Sequence, residues 1–229
     1  MSERDHTESP ADQVQHRMWF WWICAELMSV VYRLWFRMRV QGKEHVPRTG
    51  AVLIVCNHLS NFDPPMLGWA SRPRKSFYMG KKELFDSRVS AWIISSLGAY
   101  PVDRGGMDRT AVRISRDLLV RGESVLMFPE GTRSTDGTLR AAFPGAGSMG
   151  MDEGVTIVPA AIWGSQFKRG PVRVAFGPPV SSDGLAAGTK GARAAELTNR
   201  MMQAIADLVP LAGGPPQVVN DGEPSLEKD

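Results

Sequence analysis

Ala51-Val52-Leu53-Ile54-Val55-Cys56-Asn57-His58-Leu59-Ser60-Asn61-Phe62-Asp63-Pro64-Pro65 changes character once, at Asn57. The unbroken apolar run before it reads as a strand covered on both faces, as in the middle of a parallel sheet. Polar residues then end the strand. Asp63-Pro64-Pro65 opens a helix through Ala70, with Asp63 as N-cap and Pro64 at the first helical position. His58 and Asp63 are five apart, so they share no helix face and meet only if the chain turns between them. Asn57, Ser60 and Asn61 supply that turn chemistry, and Pro64 holds Asp63 extended. In such a turn the aspartate holds one imidazole nitrogen and stabilises the imidazolium. The other nitrogen takes a proton from a substrate hydroxyl, with no enzyme nucleophile required. A loop histidine beside a capped helix has the same spacing, and spacing alone does not separate the two readings.

Outward from this stretch, strands alternate with helices. Strands are expected near residues 40–46, 76–79, 99–102, 124–128 and 172–176, with helices over 87–97, 107–121 and 190–208 and a short one near 145–152. Residues 155–162 read as a strand pair or one long strand kinked at Pro159. This is an α/β pattern: a mixed, mostly parallel sheet flanked by helices. Residues 1–11 and the Pro-, Gly- and acid-rich residues 210–229 are expected to be disordered, leaving 40–209 as the folded domain.

Residues 12–39 read as a helical segment at a membrane interface. Trp19, Trp21, Trp22 and Trp35 lie here, while Glu26 falls mid-run and Arg33, Arg37 and Arg39 crowd the end. Charge at mid-bilayer is costly, which argues against a simple span, and a Trp-rich amphipathic helix suits the headgroup region. A core helix packed on the domain is the competing reading, strongest for the second half of the segment. The polar first 17 residues show no signal peptide. The net charge of +3, with acids gathered at the termini, leaves a mildly basic body suited to anionic partners. Cys24 and Cys56 form neither a disulfide framework nor a metal set, so a reducing compartment is expected. His6, His16 and His45 have no ligand spacing, and no metal is expected.

Phe128-Pro129-Glu130-Gly131-Thr132-Arg133-Ser134 follows another buried strand, where α/β folds place ligands. Gly131 permits a tight turn, Arg133 can fork onto a phosphate, and Glu130 would orient the arginine or the loop. A solvated loop with a surface Glu130–Arg133 pair is the alternative. Lys81-Lys82 and Asp103-Arg104 put further cations at element ends. Gly145-Ala146-Gly147-Ser148-Met149-Gly150 matches a dinucleotide fingerprint and, through Ser148, a nucleophile elbow, but no strand feeds it. These glycines are expected to permit close helix packing.

Asn57-His58-x4-Asp63, Tyr100-Pro101-Val102-Asp103-Arg104, the Phe128–Ser134 block and Val158-Pro159-Ala160-Ala161-Ile162 occur in that order. Together they resemble the PlsC-like glycerolipid acyltransferases, the 1-acyl-glycerol-3-phosphate acyltransferases with the H-x4-D motif, over roughly residues 40–180. The resemblance implies transfer of an acyl chain from acyl-CoA or acyl-carrier protein to the free hydroxyl of 1-acyl-glycerol-3-phosphate, forming phosphatidic acid, in phospholipid biosynthesis. His58 would be the general base and Asp63 its orienting partner. Glu130, Gly131, Thr132, Arg133, Arg104 and Lys81 would form the acceptor's phosphate site. No cofactor beyond the acyl donor is implied. Residues 40–209 become the acyltransferase domain, held through residues 18–39 at the cytoplasmic face of the cell membrane as a peripheral or monotopic protein, with no nucleic-acid partner. Pro144 stands where many relatives carry a lysine, which bears on the acceptor rather than the reaction. Another acceptor (glycerol-3-phosphate, a lysophospholipid or a glycolipid) and a non-catalytic membrane-binding module are the alternatives.

Overall fold

β2 (Val52–Cys56) lies inside a seven-stranded sheet, and all five of its residues are buried. Residues 18–103, 108–167, 170–219 and 222 are described by this computed structural model. The other strands are β1 (Arg39–Gln41), β3 (Ser76–Lys81), β4 (Ala99–Val102), β5 (Ser124–Met127), β6 (Thr156–Trp163) and β7 (Arg173–Phe176). They follow the order β1-β7-β6-β2-β5-β3-β4. β2 to β6 are mutually parallel, whereas β7 runs antiparallel to β6 and carries β1 parallel to itself. Five strands therefore deliver their carboxyl ends to one edge, and β2 sits at its centre.

The helices are α1 (Met18–Leu34), α2 (Asp63–Ala70), α3 (Arg88–Ser96), α4 (Arg109–Val120), α5 (Gly145–Gly150) and α6 (Lys190–Leu208). Alternate residues of β2 face opposite layers. Leu53 and Val55 pack with Ile114 and Leu118 of α4, Met149 of α5 and Leu197, Met201 and Ile205 of α6. Val52, Ile54 and Cys56 pack with Met66, Leu67 and Ala70 of α2 and with Tyr32 of α1. α5 approaches α6 very closely. A Cβ on Gly147 would lie 2.0 Å from the Ala194 carbonyl oxygen, so this glycine is demanded by packing.

Of the two readings of residues 155–162, the single strand is the one that forms: Thr156–Trp163 runs on through Pro159. The Pro159 carbonyl accepts from Gly177 N–H (2.9 Å) just past the end of the β7 ladder, where a missing N–H costs the sheet least. Asp63 is the first residue of α2, not its cap; Phe62 holds that position. Pro64 and Pro65 have no N–H, so the helix start has few donors left to cap. Residues 210–219, expected to be disordered, dock on the sheet. Ala212 is buried, Gly214 lies against Trp163 and Val209, and Gln217 Oε1 accepts from Leu139 N–H at 3.0 Å. Residues 1–17, 220–221 and 223–229 lie outside the described part.

α1 packs one face on the domain and leaves an apolar face outward. Trp21, Ala25, Ser29 and Tyr32, at helical spacing, are buried against the domain. Trp69 Nε1–H donates to Ser29 Oγ at 2.7 Å. Glu26 pairs with Arg72 at 2.7 Å, which anchors the helix to the end of α2. The outer face leaves Leu27 63% and Leu34 76% exposed, and Trp19, Ile23 and Val30 beside them also face outward. Phe20 stacks edge-on against Trp92 of α3 at 4.7 Å, joining that face to the exposed Val89 and Trp92. No helix among the described residues is long and apolar enough to cross a membrane.

Candidate active site

Two loops leave the carboxyl edge side by side, one after β2 and one after β5. In the first, His58 Nδ1 lies 2.8 Å from Asp63 Oδ2. Leu59 N–H and Ser60 N–H donate to the same oxygen at 2.6 and 2.7 Å. The carboxylate therefore closes the turn from within, so Asp63 serves the turn and the histidine rather than the helix. Its other oxygen, Oδ1, is buried without a protein hydrogen bond. Because Oδ2 accepts, Nδ1 carries the hydrogen and Nε2 is left as the basic nitrogen. Asp63 is fully buried and His58 only 5% exposed, so little water competes for the pair.

Asn57 departs from its expected role in the turn. Its amide accepts from Ile162 N–H (2.9 Å) and donates to the Ile162 carbonyl (3.0 Å). It thus adds a side-chain rung to the β2–β6 ladder beyond Cys56↔Ala160 and fixes where the strand ends. The strand end in turn fixes where His58 begins.

The second loop clamps the first. Ser134 N–H donates to the His58 carbonyl at 2.7 Å. Glu130 Oε1 accepts from His58 N–H (3.0 Å) and Oε2 from Arg140 N–H (2.8 Å). Both oxygens are engaged and Glu130 is 1% exposed, so it holds the histidine loop and does not face a phosphate. Phe128 stacks on the imidazole, centroids 4.0 Å apart and planes 17° from parallel. It covers one ring face. Gly131 has φ 70 and closes a turn by donating to the Phe128 carbonyl at 3.1 Å.

Thr132 is buried and Arg133 half-buried immediately after this turn. Lys81 ends β3, exposed on the same edge and separated from β2 by β5, roughly 10 Å across the sheet. Arg104 lies outside the described residues; Asp103, beside it, pairs with Lys82. Arg140 went unnoticed in the sequence because it sits in a motif-free loop ten residues past Glu130. Ser148 hydrogen-bonds Arg116 at 2.8 Å, and α5 follows coil, so no nucleophile elbow forms.

Burial pushes the Glu130 carboxyl up to about 7, helped by the Asp63 charge and opposed by the Arg140 and His58 N–H groups and the Arg140 charge. Between the ordinary carboxyl value and about 7, the folded chain keeps a proton that the unfolded chain has lost. Stability therefore falls as pH rises through that window. Glu130→Gln should flatten that fall, measured as urea midpoints at pH 5 and 7.5, while lowering the pH 5 midpoint through one lost acceptor.

A histidine held by an aspartate at a strand end, beside an arginine-bearing loop, restricts the chemistry but leaves the family open. The acyltransferase family's sequence model matches residues 37–163, which include both loops and β1 to β6. The chain belongs to the acyltransferase family. This acyltransferase is 31% identical over 191 residues to the 1-acyl-sn-glycerol-3-phosphate acyltransferase of Bacillus subtilis, covering 81% of this chain and 94% of that one. It is 30% identical over 177 residues to the lyso-ornithine lipid O-acyltransferase of Pseudomonas aeruginosa, covering 75% and 62%. The crystal structure of the 1-acyl-sn-glycerophosphate acyltransferase PlsC from Thermotoga maritima shares the fold, with a TM-score of 0.60, 24% identity and coverage of 75% and 71%. In this acyltransferase the His58–Asp63 pair and the loop bearing Arg133 stand side by side at the carboxyl edge of the sheet.

Proposed function

We propose that this acyltransferase moves a fatty acyl chain from acyl-CoA or acyl-carrier protein onto the free hydroxyl of 1-acyl-glycerol-3-phosphate, forming phosphatidic acid. The observation that carries the reading is the buried His58–Asp63 pair, with Nε2 left to the substrate. Nε2 takes the hydroxyl proton as the acceptor oxygen attacks the thioester carbonyl. The tetrahedral adduct collapses, the C–S bond breaks, and the imidazolium returns the proton to the departing sulfur. Similarity to the Bacillus subtilis enzyme over almost its whole length supports the acceptor choice. Arg133, Thr132 and Lys81 supply the phosphate contacts, and no cofactor beyond the acyl donor takes part.

Phosphate recognition by Arg133 makes a specific demand. Arg133→Ala should raise KM for 1-acyl-glycerol-3-phosphate at least tenfold, the size of one lost charge-assisted contact, and leave KM for the acyl donor unchanged. An unchanged acceptor KM would remove Arg133 from the site. The same assay run with glycerol-3-phosphate and a lyso-ornithine lipid settles the acceptor, and phosphatidic acid should form fastest.

The acceptor and the acyl chain both come from a lipid phase, and the outward faces of α1 and α3 suit contact with it. We place the protein at the cytoplasmic face of the cell membrane, peripheral or monotopic, resting on that apolar surface; the free thiols of Cys24 and Cys56 agree with a reducing side. Leu27→Glu with Leu34→Glu should weaken flotation with neutral vesicles roughly tenfold or more, since both side chains are mostly exposed on the outward face. Unchanged flotation would move the membrane contact elsewhere.

A further inference from the structure

A cavity of about 480 Å3 opens at the amino edge of the sheet, away from His58. Lys43, Arg48, Arg72 and Arg74 line it, with Glu44 the acid among its lining residues. Two of the cations are fixed. Arg74 donates to the Arg48, Gly50 and Gly122 carbonyls, which brace the entries to β2. Arg72 holds Glu26 and Ser29 of α1 and lies 5.0 Å over the Trp69 ring. Lys43 and Arg48 are exposed and free to close on a ligand. Burial, then the charges of Arg72 and Arg48, hold the Lys43 ammonium below its usual range, so these cations share one space. Glu44 and Glu26, with Glu123 acting on Arg74, offset only part of these four positive charges, and the excess favours an anion such as a phosphomonoester.

We propose that this cavity is a second anion site, taking the phosphomonoester headgroup of a membrane lipid, a class that includes the reaction's own product. The proposal rests on α1 being the membrane contact. Arg72 bonds Glu26 on that helix, so the cavity stands within about one helix diameter of the outward apolar face. A headgroup at the interface can enter it without reaching the catalytic edge.

The test is vesicle flotation of the full chain with phosphatidylcholine alone and with phosphatidylcholine containing phosphatidic acid. Wild type should prefer the anionic vesicles. Lys43→Glu with Arg48→Glu should cut that preference roughly 25-fold, at about fivefold per basic residue, with neutral-vesicle binding and turnover on a short-chain soluble acceptor unchanged. Lys190→Glu with Arg193→Glu, both exposed at the start of α6, should leave the preference intact. Inorganic phosphate that erodes the preference at millimolar concentration identifies the phosphate group itself as the ligand; failure to compete identifies the membrane-held headgroup. The proposal is overturned if the first double variant keeps the preference, or if the α6 variant loses as much. Loss of neutral-vesicle binding in wild type would instead refute the α1 contact. Should charge reversal abolish soluble turnover, Lys43→Gln with Arg48→Gln replaces it under the same criteria.

Discussion

His58→Ala lowers acyl transfer by roughly 10²–10⁴-fold, the usual contribution of a positioned general base, and leaves the fold in place. The second half of that expectation follows from how the residue is held. Its N–H goes to Glu130 and its carbonyl takes the Ser134 N–H, and alanine keeps both bonds. What disappears is the imidazole between Asp63 and Phe128. KM for both substrates should change little, because the loop that carries Arg133 is untouched. The measurement is kcat and both KM values, alongside the urea midpoint. Near-normal kcat in a folded variant would remove His58 from the chemistry.

Asp63→Asn is the second large effect, and it reports on charge rather than on the base. The amide oxygen can take the place of Oδ2 and still accept from Leu59 and Ser60. The imidazolium formed during the reaction then faces a neutral group in a buried site, where a lost charge is felt most. We expect kcat to fall roughly 10²-fold or more with acceptor KM within about twofold of wild type. The amide nitrogen is driven to the position of Oδ1, which has no protein partner, so stability should also drop by about 1–3 kcal/mol. Unaltered kcat would reduce Asp63 to a brace of the turn.

The parts of this molecule that were legible in the sequence share a cause. β2 was readable because both of its faces are buried and its apolar run is unbroken. The His58–Asp63 contact was readable only in part: polar turn residues and two prolines allow it, but a loop histidine beside a capped helix has the same spacing. Strand order was not readable: β5 enters between β2 and β3 through contacts distant in sequence. Side chains with two uses were misassigned for the same reason. Asn57 has turn chemistry, yet a β6 backbone edge far along the chain claims its amide. Glu130 sits in a phosphate-type loop, yet its own loop folds it inward onto His58 and Arg140. Asp63 looked like a cap as well as a partner of His58, because the Leu59 and Ser60 N–H groups that take its carboxylate cannot be read from spacing. The Pro- and Gly-rich tail looked disordered, but it carries Ala212 and Gly214, which are small enough to pack beside Trp163.

The central claim is direct transfer from thioester to hydroxyl, with His58 as base and no acyl-enzyme. Rapid-quench measurement of thiol release from acyl-CoA, with and without 1-acyl-glycerol-3-phosphate, tests it most directly. Thiol release should require the acceptor and equal the phosphatidic acid formed, mole for mole, from the first turnover. A stoichiometric burst of thiol without acceptor, or release at the same rate in its absence, would contradict it.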